Sequence, residues 1–261
     1  MTATTTLELM LRAASPSSVG ALEALLERQI AHLARASEGT RVRCAFNIAN
    51  HLALAAANGA DLTGCEEVLA NGLPPNESPV DASSFDAVLE IGLPPGADAA
   101  LLIDTAASIA GELGSSIDPA RSTAVVGVEH QIIRGTGEIQ LYYCLRRIPR
   151  LTHAEFSDYW LNSFTRHSRH TPGKAGYHQL HADEALTVEA NAAAGFAIDD
   201  VDGVALEWFP DFPAFSLAID HGREKTEAGA AFMGGERQMN DFARAMSMIS
   251  YVPSVPSKGA R

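Results

Sequence analysis

The apolar positions of the chain fall into short strand-like runs separated by segments with helical spacing. Leu7–Arg12 reads as a strand. From Ser17 to Ser37, Leu22, Leu25, Leu26, Ile30 and Leu33 recur three and four residues apart, which predicts an amphipathic helix. Strands follow over Val42–Asn50 and Phe85–Leu93, then a helix over Ala97–Leu113 and a strand over Ala124–Ile133. After Gly135-Thr136-Gly137 the same order returns, opening with a strand over Ile139–Ile148. Thr152-x-x-Glu155 is a capping box, in which each side chain satisfies the other's backbone donor. The helix it opens places Phe156, Trp160, Phe164 and His167 on one face, and Thr171-Pro172-Gly173 ends it. Strands over Lys174–Ala182 and Val201–Phe209, helical segments to Gln238 and a strand over Phe242–Val252 complete the pattern.

The repetition extends to individual residues. Phe85–Asp104 lies without gaps on Val201–Asp220 with six identities: Asp86/Asp202, Val88/Val204, Pro94/Pro210, Leu101/Leu217, Ile103/Ile219 and Asp104/Asp220. Upstream, Leu7, Leu11 and Arg12 pair with Leu141, Leu145 and Arg146, which leaves 18 extra residues in the first copy, assigned to the Ala/Gly/Pro-rich stretch 52–84. Two tandem β-α-β-β-α-β modules are therefore expected, residues 1–134 and 138–252, with a tail over 253–261. Each makes an antiparallel sheet with helices on one face. The bare faces of the two sheets can cover each other, giving an α+β pseudo-dimeric barrel in one chain.

Charge and cysteine content narrow the partners. A net charge of −13 argues against nucleic acid or an anionic membrane, both of which need basic patches. The N-terminus lacks a signal-peptide pattern, and no apolar run approaches the length of a membrane span. Cys44, Cys65 and Cys144 lack metal-ligand spacing and read as reduced thiols, so a cytoplasmic location is expected. No dinucleotide fingerprint, phosphate loop, Ser-His-Asp elbow or CxxC occurs, so no cofactor is expected.

Three segments, LYYCLRRIPRLTHAEFSDYW from Leu141, PGKAGYHQLHAD from Pro172 and VDGVALEW from Val201, resemble the EthD family of dimeric α+β barrel proteins. The resemblance covers the second copy and reaches the first through the internal repeat. One position departs: where the family usually has a His four residues after the helix Trp, this chain has Phe164. The family's Gln-x-His is kept as Gln179 and His181. The resemblance implies a small-molecule enzyme, a cofactor-independent lyase of decarboxylase or dehydratase type first, acting on a small aromatic or polyketide-like carboxylic acid. A barrel monooxygenase or haem-binding protein and a non-catalytic ligand-binding barrel are the alternatives. A homodimer on top of the intrachain pairing is compatible with all three.

Candidate chemistry concentrates in the second copy. Imidazole titrates nearest neutrality, and five of the nine histidines fall between His153 and His181. Alternation places Tyr177, Gln179 and His181 on one face of their strand and His178 on the other, and the three-residue face suits a pocket or barrel lining. His181, supported by His167 and Tyr143, is the expected proton-transfer group. Tyr177, Gln179, Arg166, His170, His178, Trp208, Glu207 and His221 are the expected substrate contacts. His167-x-x-His170 and His178-x-x-His181 with Asp183 offer zinc or iron ligand types, but residues i and i+3 of a strand face apart, so no metal is expected.

Overall fold

The computed structural model describes residues 3–36, 39–71 and 85–252. The expected tail over 253–261 and part of the insertion 52–84 lie outside the described residues.

The first half contains β1 (Ala3–Leu11), α1 (Val19–Ala36), β2 (Arg41–Phe46), α2 (Leu52–Ala57), α3 (Cys65–Asn71), β3 (Ala87–Gly92), α4 (Ala100–Leu113) and β4 (Thr123–Ile133). The second contains β5 (Ile139–Leu145), α5 (His153–Asp158), a π-helical turn (Tyr159–Phe164), α6 (Thr165–Ser168), β6 (Gly176–Ala182), α7 (Glu184–Ala194), β7 (Gly203–Phe209), α8 (Phe212–Gly222), α9 (Glu227–Glu236) and β8 (Met246–Tyr251). The strands form one eight-stranded sheet in the order β2-β3-β1-β4-β6-β7-β5-β8, every neighbouring pair antiparallel. A bridge between Asn47 and Ser250 brings its two edges together, so the sheet is nearly closed into a barrel. This is the α+β fold expected from the repeat. Three helices were not expected: α2 and α3, in the insertion, and α7, which is capped by the Asp183 carboxylate and packs between α4 and β4. The Ala- and Asn-rich sequence of α7 gives little periodic signal, and its Asn191 and Thr187 side chains bond the β4 backbone.

Strand alternation sorts the core into layers. Leu7, Leu9 and Leu11 of β1 and Leu89 and Ile91 of β3 pack outward against α1 and α4. Met10, Val88 and Val125 point inward and meet Tyr142, Val204, Leu206, Trp208 and Met248 of the second sheet. The interior also holds charge. Arg43 pairs with Glu90, which accepts a hydrogen bond from Tyr142 Oη at 2.8 Å. Glu129 is bonded by Arg41, Thr6 and His178. Glu8 is fully buried beside these groups, neither carboxyl oxygen is hydrogen-bonded to any described residue, and burial with the nearby Glu90 and Glu129 raises its pKa well above the usual range.

The β4–β6 pairing joins the halves, and Gly127 is the close point of this seam. A Cβ there would lie 1.9 Å from the His181 carbonyl oxygen, which is backbone and cannot swing away. Gly127→Val is expected to destabilise the protein by about 3 kcal/mol or more in chemical unfolding. Gly111→Ala, at a helical position with nothing within 4 Å, should stabilise it by roughly 0.5–1 kcal/mol.

Candidate functional site

The outer face of the second sheet does not close on its helices as the first does. The capping box at Thr152 and Glu155 starts α5, and the chain then widens into the π turn. Thr165 Oγ1 donates to the Trp160 carbonyl, five residues back, at 3.0 Å. Trp160 and Phe164 face the sheet, and Gly203 leaves room for the indole, since a Cβ there would lie 2.5 Å from it. Across from them α9 approaches through Gly235, whose missing side chain admits the Phe164 ring.

Between these helices, α8 and the sheet lies a cavity with room for several waters, about 80 Å³ of space for a water's centre. Its walls are mainly apolar, with Trp160, Phe164, Phe215 and Phe232 prominent, and its polar side chains are Tyr143, Thr171, Tyr177, Glu207 and Glu236. Glu207 is paired with Lys174, whose Nζ lies 2.5 Å from Oε1 and 4.4 Å from the centre of the Tyr177 ring. Among the described residues no cation is ion-paired with Glu236, although Lys174 and Arg237 lie near enough to lower its pKa slightly. Burial, opposed by an Asn240 hydrogen bond and reinforced by Glu207, pushes its pKa up to about 7. Asn240 Nδ2 donates to Glu236 Oε1 and to Tyr143 Oη, both at 3.2 Å. Burial and Glu236 hold the Tyr143 phenol above its usual range.

Among the residues singled out from the sequence, Tyr143, Tyr177 and Glu207 line this cavity. Tyr177, Gln179 and His181 do share a face, but it looks onto the helices and not into the barrel. Tyr177 Oη accepts from Trp160 Nε1 at 3.0 Å and from Gln179 Nε2 at 2.8 Å, while Gln179 Oε1 meets His181 Nε2 at 3.1 Å. His181 lies against the Trp160 indole, ring centres 4.4 Å apart, outside the cavity lining. Burial, with His130 and His153 nearby, lowers its pKa to about 3, so it is neutral across the physiological range. The expected proton-transfer group therefore sits in a packed network.

The others are dispersed. His178 and Trp208 point into the barrel, where His178 bonds Glu129 and Gln131 and Arg43 lies over the indole. Arg166, His167 and His170 are exposed on or just beyond α6. The expectation of a sheet-facing His167 fails because the π turn adds a residue per turn and rotates the following positions. His221 is buried against Phe232 and does not line the cavity. His153 bonds Asp202 and the Ala182 carbonyl, so it is a structural residue. With Glu184 and Asp202 it gathers ligand-type atoms within 4.8 Å of one another, but Arg147 is ion-paired to both carboxylates. Lys174, Thr171, Glu236 and Asn240 were not singled out. A lone acid in Gly234-Gly235-Glu236 carries no local pattern, and only its burial distinguishes it.

The first sheet presents different residues at the matching positions. The strand registers superpose Leu9 on Tyr143, Val42 on Tyr177, Cys44 on Gln179, Phe46 on His181, Leu89 on Ala205 and Ile91 on Glu207. Its outer face is a packed aliphatic core.

No family model matches the sequence, and no curated protein matches it. Solved structures match its fold. An anthrone oxidase-like protein aligns with TM-score 0.53 and 13% identity, over 96% of this chain and 91% of its own. A protein from Fusobacterium nucleatum, titled a "putative monooxygenase", aligns with TM-score 0.50 and 7% identity, over 99% and 96%. One from Lactobacillus acidophilus with the same description gives 0.47 and 10%, over 97% and 95%. At these identities the likeness is one of fold, an α+β barrel. No helix of the described residues is long and apolar enough to cross a membrane.

The asymmetry of the two outer faces predicts one ligand per chain. Calorimetric titration with a bound aromatic ligand should give a stoichiometry near one, and Ala205→Trp, which fills the second sheet's cavity, should abolish the heat. Two equivalent sites would contradict this assignment.

Proposed function

We propose that the cavity over the second sheet is the active site of an enzyme that takes a proton from a small, uncharged aromatic ketone and passes the resulting enolate to dioxygen. The observation that carries this reading is Glu236. Its carboxyl group lies in an aromatic, largely apolar cavity with a pKa near 7, so both protonation states are populated at neutral pH.

The chemistry balances without further groups. The Glu236 carboxylate removes a proton from the carbon beside the carbonyl or ring, and the electron pair moves to the carbonyl oxygen. Tyr143, adjacent to Glu236, is placed to donate its hydroxyl hydrogen to that oxygen. Dioxygen adds to the carbon, and a proton returned from Glu236 completes a hydroperoxide. Loss of the second C–H proton breaks the O–O bond and expels water, so CH₂ and O₂ become C=O and H₂O. The names of the two neighbours that align at TM-scores of 0.53 and 0.50 support an oxidation.

The carboxylic acid substrate and decarboxylation implied by the family resemblance fit the cavity's charge less well. Its lining carries two carboxyl groups, and the adjacent ammonium, Lys174, is already paired with Glu207. A third carboxylate about 4 Å from an ionised one would cost roughly 4 kcal/mol at an effective dielectric of 20. Dehydration of a neutral hydroxyketone begins with the same proton abstraction and is the second reading.

Oxygen uptake with a series of uncharged aromatic ketones, from one ring up to an anthrone-type tricycle, tests the proposal, and the cavity's volume favours the smaller members. Turnover should rise with pH through about 7, because the base must be ionised. Glu236→Gln should lower it by about 100-fold or more. Turnover under argon with loss of water would favour the lyase. A fully active Glu236→Gln protein would remove this carboxyl group from the mechanism.

A further inference from the structure

We infer that Asn240 is a positioning residue that serves Glu236 in both of its protonation states, donating from its amide nitrogen to the carboxylate and, with the amide turned over, accepting from the carboxylic acid. This rests on the reading of Glu236 as the base.

A base that gains and loses a proton in each cycle needs a neighbour that tolerates both forms. A carboxylate only accepts hydrogen bonds, whereas a carboxylic acid also donates one. A buried neighbour that could only donate would be left facing a hydroxyl after proton transfer, and an unmade buried hydrogen bond is costly. A primary amide has both functions on one planar group and exchanges them by a half-turn about its last bond.

The backbone around Asn240 is built to hold such a group. Ile148 N donates to the Met239 carbonyl at 2.9 Å, Asp241 N donates to the Arg146 carbonyl at 2.7 Å, and Asn240 N donates to the Glu236 carbonyl at 2.9 Å. Arg147 and Asn240 form an isolated antiparallel bridge. The segment after α9 is thus strapped to the end of β5, the strand that carries Tyr143. Asn240 itself is buried, and its Nδ2 reaches Glu236 and Tyr143 with two separate hydrogens. Its Oδ1 is buried without a hydrogen-bond partner among the described residues. Turning the amide breaks no bond at Oδ1 but gives up the two Nδ2 bonds and moves Nδ2 to the partnerless side; in exchange the oxygen faces two hydroxyls, those of protonated Glu236 and of Tyr143. Without a ligand the phenol can follow the exchange, because it both donates and accepts, whereas with a substrate oxygen in the cavity its one hydrogen goes to that oxygen and Asn240 answers Glu236 alone.

Other charged and titratable groups around Glu236 do not offer this pair of functions. Glu207 of β7 is tied to Lys174, and Arg237 is ion-paired with Glu224 at the surface. His167 of α6 lies against Gly235, and His221 of α8 lies against Phe232, each one side chain removed.

Infrared titration of the carboxyl stretch, in protein labelled with ¹³C-glutamate, follows Glu236 without substrate, and its loss in Glu236→Gln assigns the band. The wild-type midpoint should lie near 7. Asn240→Leu removes the donor to the carboxylate, so its midpoint should rise by about one pH unit or more, and the rising limb of the rate profile should move with it. Asn240→Thr, whose hydroxyl both donates and accepts, should restore part of the shift and much of the turnover. The midpoint is read on protein whose thermal unfolding shows it to be folded, and if the leucine variant does not fold, Asn240→Ala, which also lacks the donor, is compared with Asn240→Thr. An unchanged midpoint in folded Asn240→Leu or Asn240→Ala protein would overturn the inference. A full shift of the midpoint together with an active Glu236→Gln enzyme would instead overturn only the assignment of Glu236 as the base.

Discussion

A four-stranded sheet with helices on one side has a second face that is too apolar to leave in water, and covering that face governs the rest of this structure. Here the cover is the other sheet. Met10, Val88 and Val125 of the first meet Tyr142, Val204, Leu206 and Met248 of the second. Antiparallel pairing of β4 with β6 makes the two sheets one. Because both sheets belong to one chain, the pairing does not depend on protein concentration. The interface is closer to a domain core than to a subunit contact, yet it contains Arg43–Glu90 and the Arg41–Glu129–His178 cluster. Buried ion pairs rarely outweigh their desolvation. Their effect here is register: sliding either sheet by two residues would separate several charges from their partners at once.

With the inner faces occupied by each other, a small-molecule site has only the outer faces to use, beneath the helices. Fusion releases the two outer faces from having to be identical. In the first, Leu9, Leu89 and Ile91 fill the space under α1 and α4. In the second, Tyr143, Ala205 and Glu207 occupy the matching positions, and α9 with the π turn stands over them. One half has the packing of a scaffold and the other has the polar inventory of a site.

The fold was legible because repetition and alternation act over many residues. Six identities in a gapless block and two series of strands and helices fix the topology even where boundaries drift, and Thr152-x-x-Glu155 behaves as its spacing demands. The site was legible only in part. Alternation correctly grouped Tyr177, Gln179 and His181, but which side of the sheet they face depends on the partner sheet. His167 was misplaced because a π turn leaves no clear signature in Tyr159–Phe164. Glu236 and Asn240 come from the turn that ends α9 and reach Tyr143 across 93 and 97 residues of sequence. Such an arrangement is made by tertiary packing and has no local pattern.

Two buried glutamates show why a perturbed acid alone does not mark a functional site. Glu8 and Glu236 both have raised pKa values with burial as the leading cause. Glu8 stands on a central strand inside the barrel, between the carboxylates of Glu90 and Glu129 and the guanidiniums of Arg41 and Arg43. Ionising it would add a third negative charge to a closed, fixed set, so its surroundings favour the neutral acid. The linkage has a definite sign: with the folded value above the unfolded one, this group favours folding at low pH and costs stability as pH rises. Glu236 stands at a helix end, at the wall of a cavity, with an amide that can answer either protonation state and a phenol beside it. A proton can leave Glu8 only at the expense of the barrel. At Glu236, on the proposed reading, the proton has somewhere to go, because a ligand in the cavity would supply or receive it, and that access would distinguish a reactive acid from a structural one.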